Sequence, residues 1–232
     1  MTRVKLCGLM SAGDVEMAVT AGADSLGFVT EYPVEVPWNL PRDRSAELVA
    51  GAPPFVTTTA VVGGAVGDMM AIARRVRPHF LQLHGDETAA EIADVVAGLE
   101  GTGIKVIKAL RLDADTGEAQ FAERDPVAAA DVLARTGIAA LVVDSKTSSR
   151  PAGTGVAVDW QVAAQMARSI PLPTILAGGL TCDNAAEAVR QVQPYGVDVI
   201  SGVESERGVK DGEMMRRFVA AVRAVPAGHE AG

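Results

Sequence analysis

Four side chains have the chemistry for proton transfer or anion binding and stand at predicted strand ends or in a loop. Cys7 closes the apolar run in "RVKLCG", His84 follows "LQL", Asp144 follows "LVV", and Arg42 lies in "NLPRD". A thiol becomes a base or nucleophile when a nearby cation or dipole lowers its pKa. A carboxyl group buried at a strand end has a raised pKa, which suits it to donate a proton. These residues indicate acid–base chemistry.

Three of these residues also have an ordinary structural interpretation. Free cysteines are most often small core residues, and Cys7 fits that description. Asp144 could cap a turn or pair with Lys146, and His84 could orient its own loop. The sequence leaves these alternatives open for each residue taken alone. The choice depends on whether a fold brings the strand ends together.

Two glycine-containing strand ends near the carboxyl terminus suggest an anion site. The segments "ILAGGL" and "VISGVE" place Gly178, Gly179, Ser201 and Gly202 directly after apolar runs. Small residues allow backbone N–H groups to approach a ligand closely, and such loops after the last two strands of a barrel commonly hold phosphate. We therefore predict that these four residues bind a phosphate group.

Short apolar runs alternate with Ala-rich amphipathic stretches along the chain, which predicts the α/β class. The strands are predicted at 3–7, 25–29, 55–62, 79–84, 104–110, 139–144, 173–177 and 197–201. The helices are predicted at 11–21, 43–51, 66–76, 88–98, a broad region from 113 to 135, 159–169, 182–192 and 211–224. Strands start about every 28 residues, the spacing of a (β/α)8 TIM barrel. We predict a single barrel domain over 1–225 and a disordered tail over 226–232.

A doubly wound open sheet is the alternative architecture. It would need a glycine-rich dinucleotide fingerprint after the first strand, and "CGLMSAGD" lacks that spacing. The predicted strands are continuous apolar runs, as expected for a parallel sheet covered on both faces. In a barrel, the carboxyl ends of the strands carry the active site. This fold would bring the chemically active strand ends to one face.

The composition restricts the partners. The 232 residues carry a net charge of −8, with 21 basic against 29 acidic residues, which argues against a nucleic-acid partner. The two cysteines have no metal-ligand spacing, so we predict free thiols, no metal site and a cytoplasmic location. We find neither a signal peptide nor an apolar run of membrane-spanning length. The expected partner is a small phosphorylated molecule, and the protein is expected to be a monomer or a homodimer.

An ordered series of motifs resembles one family. "VKLCGL", "GADSLGFV", "LQLHGDE", "VIKAL", "LVVDS", "AGTGVAVDW", "ILAGGLTCDN" and "GVDVISGVESERGVKD" follow one another from about residue 3 to residue 218. This series is similar to that of the phosphoribosylanthranilate isomerases of tryptophan biosynthesis. The resemblance implies an Amadori rearrangement of N-(5-phosphoribosyl)anthranilate to 1-(2-carboxyphenylamino)-1-deoxyribulose 5-phosphate without a cofactor.

The resemblance also assigns roles to residues. It implies that Asp144 is the general acid, Cys7 the general base, and Gly178, Gly179, Ser201 and Gly202 the phosphate site. It further implies that Asp198, His84 and the loop containing Gly153, Thr154 and Gly155 line the substrate. Arg42, or else Arg44, would pair with the anthranilate carboxylate.

Departures from the family pattern leave three alternatives open. The segment "TEYPVEVPWNLPRDR" is several residues longer than its family counterpart, and "KTSSRPA" is longer and more basic. A paralogue isomerising another N-substituted aminoribose phosphate would explain these changes. A Schiff-base aldolase using Lys5 or Lys108 is the second alternative, and a non-catalytic sugar-phosphate-binding barrel is the third.

Overall fold

The computed structural model describes residues 1–146 and 158–226, and these form a closed barrel of eight parallel strands. The strands are β1 (Arg3–Leu6), β2 (Ser25–Val29), β3 (Thr57–Val62), β4 (Phe80–Leu83), β5 (Lys105–Asp113), β6 (Ala140–Lys146), β7 (Thr174–Leu176) and β8 (Gly196–Val199). Each strand pairs in parallel with its sequence neighbours, and β1 closes the barrel on β8. The predicted (β/α)8 barrel is confirmed.

Helices follow the strands in the order that the apolar periodicity predicts. They are α1 (Ala12–Ala21), α2 (Arg42–Ala50), α3 (Val66–Val76), α4 (Ala89–Gly98), α5 (Pro126–Ala134), α6 (Trp160–Ser169), α7 (Ala185–Val192) and α8 (Gly212–Arg223). Ser11 and Thr88 form capping boxes at α1 and α4. None of the described helices is long and apolar enough to cross a membrane.

The structure differs from the predicted elements in two places. Only the last part of 113–135 is helical, because Pro126 starts α5 and Asp125 caps it, while β5 extends to Asp113. After β8, a 3-10 turn (Ser201–Val203) leads into a small antiparallel hairpin of β9 (Glu204–Glu206) and β10 (Val209–Lys210). The apolar pattern gave no sign of this hairpin, because its short strands are largely polar.

A buried ion pair braces the barrel between β4 and β5. Lys108 Nζ donates to Glu87 Oε2 at 2.5 Å and to the Gly85 carbonyl oxygen at 2.7 Å. Each of the two charged side chains is only 3% exposed. Removing one partner of such a pair leaves the other charge buried without compensation.

We therefore expect Glu87→Ala to lower the free energy of unfolding by about 3 kcal/mol. Asp131→Ala is the matched control, because Asp131 pairs with Arg135 on the exposed face of α5. An exposed pair of this kind contributes less than about 1 kcal/mol. Urea unfolding followed by circular dichroism measures both. Equal losses in the two variants would contradict a special role for the buried pair.

Candidate active site

Strand alternation positions the candidate catalytic side chains inside the barrel mouth. Val4 and Leu6 of β1 pack outward into the main core, so Lys5 and Cys7 take the opposite face. In β6, Leu141 and Val143 belong to the same outer core, which puts Asp144 on the inner face. The same alternation turns Gln82, His84 and Asp198 inward. Because side chains alternate between the two faces of each strand, these groups come together inside the barrel mouth.

All of these inward groups except Lys5 line one cavity at the carboxyl ends of the strands. Its lining includes Cys7, Gln82, His84, Asp144, Asp198, Gly178, Gly179, Ser201 and Gly202. Within the described part of the chain, three buried polar atoms that belong to this lining have no hydrogen-bond partner: Gln82 Oε1, His84 Nε2 and Asp198 Oδ1. Buried polar atoms are normally paired. Three unpaired ones around one cavity indicate a polar ligand.

The Asp144 carboxyl group has the properties of a proton donor near neutral pH. Burial raises its pKa from 3.8 to about 6, although the hydrogen bond from the Ser145 backbone N–H, 2.7 Å long, opposes the shift. A pKa near the working pH is favourable for a general acid. Turn capping alone does not explain a carboxyl group that faces the cavity beside His84.

The Cys7 thiol lies at the cavity, with only 1% of the residue exposed. A Cβ placed on Gly27 would lie 2.4 Å from Cys7 Sγ, so the glycine makes room for the thiol. Burial raises the pKa of Cys7, while the nearby Lys5 ammonium lowers it again. The thiol is therefore the resting form, and the adjacent ammonium favours its ionisation.

Lys5 is held as a charged group below the cavity. Its Nζ donates to Asp198 Oδ2 at 2.6 Å, and both side chains are buried. Burial alone would lower the pKa of Lys5, but Asp198 and Cys7 together more than offset this and the pKa is raised. A Schiff-base lysine has to be neutral to attack a carbonyl group. Lys5 therefore lacks the state that an aldolase needs, and Lys108 is bound to Glu87.

His84 is neutral in this environment. Burial, together with the nearby positive charges of Arg111, Lys108 and Lys5, lowers its pKa from 6.5 to about 3. Its Nε2 atom lies 3.4 Å from Asp144 Oδ2 without forming a hydrogen bond. The Tyr32 hydroxyl donates to the His84 carbonyl oxygen at 3.0 Å and fixes the backbone there. His84 thus contacts both the acid and the cavity as a neutral imidazole.

The two glycine-containing loops meet at the edge of the cavity. A Cβ on Gly202 would lie 1.9 Å from the Leu180 carbonyl oxygen, so only glycine allows the two loops to touch. Asn184 accepts from the Thr181 N–H and donates to the Gly179 carbonyl oxygen, which fixes the first loop. Within the described residues, the N–H groups of Gly178 and Gly179 make no hydrogen bond. They are free to bind an anion.

The remaining residues predicted to bind the substrate do not line the described cavity. Arg42 starts α2, and its guanidinium donates to both carboxylate oxygens of Glu31 on the surface, outside the cavity lining. Arg44 pairs with Glu47 on the same helix. The predicted substrate loop with Gly153, Thr154 and Gly155 lies outside the described residues, as does the tail from 227 onward.

Sequence reasoning missed three residues that line the cavity, Tyr32, Trp38 and Gln82, and it missed the pairing of Lys5 with Asp198. One feature of the sequence could have indicated Tyr32 and Trp38. The chain has only two tryptophans and two tyrosines, and one of each falls in the segment 30–42. Gln82 and Lys5 each lie two residues before a predicted site residue, and therefore on the same strand face.

The fold and the cavity define a class of protein: a single-domain (β/α)8 barrel enzyme with a buried acid, a thiol and glycine loops at one mouth. The family model of N-(5'phosphoribosyl)anthranilate (PRA) isomerase matches residues 4–221. The chain belongs to the phosphoribosylanthranilate isomerase family, as the motif series predicts.

Individual relatives agree with this assignment. The chain is 43% identical to N-(5'-phosphoribosyl)anthranilate isomerase of Haloferax volcanii, over 96% of this chain and 94% of the relative. The crystal structure of TrpF from Jonesia denitrificans is 30% identical, with a TM-score of 0.73 over 97% of this chain and 98% of that one. The isomerase structure from Thermotoga maritima is 25% identical, with a TM-score of 0.80 over 97% and 100%.

Proposed function

We propose that this protein isomerises N-(5-phosphoribosyl)anthranilate to 1-(2-carboxyphenylamino)-1-deoxyribulose 5-phosphate, with Asp144 as general acid and Cys7 as general base. One observation carries the assignment of roles: a carboxyl group with a pKa near 6 and a thiol beside an ammonium group line the same cavity. The substrate is a small phosphorylated metabolite, which suits a cytoplasmic enzyme.

The reaction needs two proton transfers. Asp144 protonates the ribose ring oxygen, the bond from that oxygen to C1′ breaks, and a Schiff base forms between C1′ and the anthranilate nitrogen. Cys7, as thiolate, removes the proton from C2′, and the electron pair moves to give an enolamine. The enolamine then tautomerises to the aminoketone. Asp144 and Cys7 therefore act on the two ring atoms that flank C1′ in one small substrate, and both side chains line the same cavity.

The remaining polar groups hold the substrate in place. The free N–H groups of Gly178 and Gly179, with Ser201 and Gly202, bind the phosphate. The unpaired Asp198 Oδ1 accepts a hydrogen bond from a sugar hydroxyl, since its other oxygen is occupied by Lys5. The neutral His84 offers its unpaired Nε2 beside the acid. The unpaired Asp198 oxygen and His84 nitrogen thus gain partners on binding.

The pKa values of the two catalytic groups predict the pH profile of kcat/KM. The active form has protonated Asp144, whose pKa is about 6, and thiolate Cys7, whose pKa is above its usual value. Below about pH 6 the acid stays protonated while the thiolate fraction falls tenfold per pH unit, so activity falls. Between the two pKa values the loss of acid and the gain of thiolate cancel, which gives a plateau.

Initial rates from pH 5 to pH 9 measure this profile. Binding of the borohydride-reduced product over the same range corrects for ionisation of the substrate phosphate. A rate that falls continuously with rising pH from 5 to 8 would contradict the assignment of Cys7 as the base.

Arg42 remains our candidate for the anthranilate carboxylate, and binding would exchange the Glu31 carboxylate for that of the ligand. We expect Arg42→Ala to raise KM by about tenfold to a hundredfold with a smaller change in kcat, the effect of losing a charged contact in the bound state. Arg44→Ala on the same helix is the control. An unchanged KM in the first variant and a raised KM in the second would move the contact to Arg44.

The direct test of the function is the loss of N-(5-phosphoribosyl)anthranilate fluorescence with freshly generated substrate and purified protein. Turnover that disappears in Cys7→Ala supports the proposal. Absence of turnover, with the reduced product still bound, would favour the alternative of another N-substituted aminoribose phosphate. Absence of both would contradict the proposal.

A further inference from the structure

Trp38 lies in the unusually long segment between β2 and α2. The residue is only 1% exposed, yet its side chain lines the active-site cavity. It is one of two tryptophans in a chain with 4% aromatic residues. A large aromatic side chain supplied to the cavity by a lengthened loop requires an explanation in terms of what the cavity binds.

A buried polar cluster fixes the indole ring in one orientation. Trp38 Nε1–H donates to Glu204 Oε1 at 2.6 Å, and Lys210 Nζ donates to the same oxygen at 2.7 Å. The Glu204 and Lys210 side chains are 2% and 0% exposed. Gly208 N–H donates to the second Glu204 oxygen at 3.1 Å. The β9–β10 hairpin therefore holds the ring from outside the cavity lining.

The ring lies against the backbone beside the catalytic thiol. A Cβ on Gly8 would lie 2.9 Å from Trp38 Cδ1, so there is no room for a side chain at this position. Gly8 also has a φ of +72°, which favours glycine. Trp38 forms an apolar cluster with Cys7, Val29, Tyr32 and Val61. The cavity beside the thiol is thus apolar and aromatic, whereas Asp144, His84 and Asp198 supply polar groups from other strands.

The hairpin that holds the Trp38 ring is continuous in the chain with the candidate phosphate loop after β8. Glu204 follows directly on the 3-10 turn Ser201–Val203, whose first two residues line the phosphate end of the cavity. Lys210 Nζ also donates to the Ile200 carbonyl oxygen at 2.9 Å, which ties the hairpin back to the end of β8. The distance from indole ring to phosphate loop is therefore fixed by buried hydrogen bonds.

We propose that Trp38, clamped by Glu204 and Lys210, is a specificity-determining residue that selects a planar aromatic substituent on the nitrogen of the aminoribose phosphate. This inference rests on the proposed function for the sugar-phosphate frame. An aromatic ligand ring packs against the indole in an offset or edge-to-face arrangement, which a flexible alkyl substituent does not match. The polar groups of the cavity contact the sugar, and the indole ring of Trp38 contacts the substituent on the nitrogen.

Two unreactive ligands, one with the ring and one without it, test the proposal. Reductive amination of ribose 5-phosphate with anthranilate and with β-alanine gives amines with the same phosphate and the same number of bonds from nitrogen to carboxylate. Because the alkyl amine is protonated at neutral pH and the aryl amine is not, the change in their affinity ratio on removing the indole reports contact with the ring. Calorimetry on the wild-type protein should show that the aryl ligand binds about 10- to 100-fold more tightly. In Trp38→Leu this ratio should fall below about threefold, through loss of affinity for the aryl ligand alone.

Trp160→Phe is the matched control, because Trp160 starts α6 and packs on the outer core, away from the cavity lining. It should keep the wild-type ratio. A ratio near one in the wild-type protein, or an unchanged ratio in Trp38→Leu, would overturn the proposal. The ligands do not react, so a wild-type protein that keeps the ratio but fails to isomerise the substrate would contradict the proposed function and still support the inference.

A second measurement leaves Trp38 in place and so does not depend on how well its variants fold. The two indole N–H signals of protein labelled with ¹⁵N-tryptophan are assigned with Trp160→Phe. The aryl ligand should shift the Trp38 signal through its ring current, and the β-alanine ligand should shift it far less. Equal shifts with both ligands would contradict contact between the rings.

Discussion

Asp144→Asn should lower kcat about 10³- to 10⁴-fold, which is the upper range for loss of a positioned general acid. The amide keeps the shape of the carboxyl group, and its oxygen can still accept the Ser145 N–H that now binds Asp144 Oδ1. It cannot supply the proton that ring opening requires. Binding of the reduced product should change little, because the missing step belongs to the transition state.

Asp131→Asn is the control for this experiment, because Asp131 lies on the exposed face of α5 and pairs with Arg135 at the surface. It should retain full turnover. A rate for Asp144→Asn within tenfold of the wild type, with an unchanged melting temperature, would show that another group protonates the ring oxygen. His84 would be an unsuitable replacement, since burial keeps it neutral with a pKa of about 3.

Cys7→Ala should lower kcat by a similar factor, because removal of the C2′ proton then has no base in position. The thiol is packed against Gly27 and the methyl group of alanine leaves only a small gap, so the fold should survive. Cys7→Ser tests the chemistry further. A hydroxyl group of similar size sits beside the same Lys5 ammonium, but it ionises far less readily than a thiol, and its rate should also stay low.

The second cysteine provides the control. Cys182 lies near the start of α7, and its Sγ donates to the Met214 carbonyl oxygen at 3.2 Å, away from the cavity lining. Cys182→Ala should keep wild-type kcat and KM. If Cys7→Ala retained near-full turnover of N-(5-phosphoribosyl)anthranilate, the proton would be removed by another group and the proposed mechanism would be wrong.

Local sequence patterns were sufficient to predict the strands and helices and to place much of the candidate site. The apolar runs located all eight strands, and their alternation with amphipathic stretches predicted the barrel. Because the carboxyl ends of barrel strands meet at one face, the positions of Cys7, His84 and Asp144 along their strands already implied a common site. Both glycine loops were predicted for the same reason. These inferences depend on short-range periodicity and on one rule of topology.

The roles of individual charged groups could not be predicted in that way. Arg42 begins α2, and Glu31 lies 11 residues earlier in the loop after β2. Nothing in this spacing indicates that the guanidinium would bind a surface carboxylate. The broad helical prediction over 113–135 was too long, because Ala-rich composition favours helix whereas Asp125 and Pro126 set the actual start. Such outcomes depend on competition between local interactions of similar strength.

The sequence by itself determined the fold class, and it predicted the face that carries the candidate site and the strand ends where a thiol and a carboxyl group stand, since these follow from periodic patterns along the chain. Only the tertiary structure decided what surrounds them. It pairs Lys5 with Asp198, 193 residues apart, and Trp38 with Glu204, 166 residues apart. It also buries Asp144 deeply enough to raise its pKa to about 6. Contacts between distant segments and the loss of solvent at a carboxyl group are set by the closed barrel, and no local pattern records them.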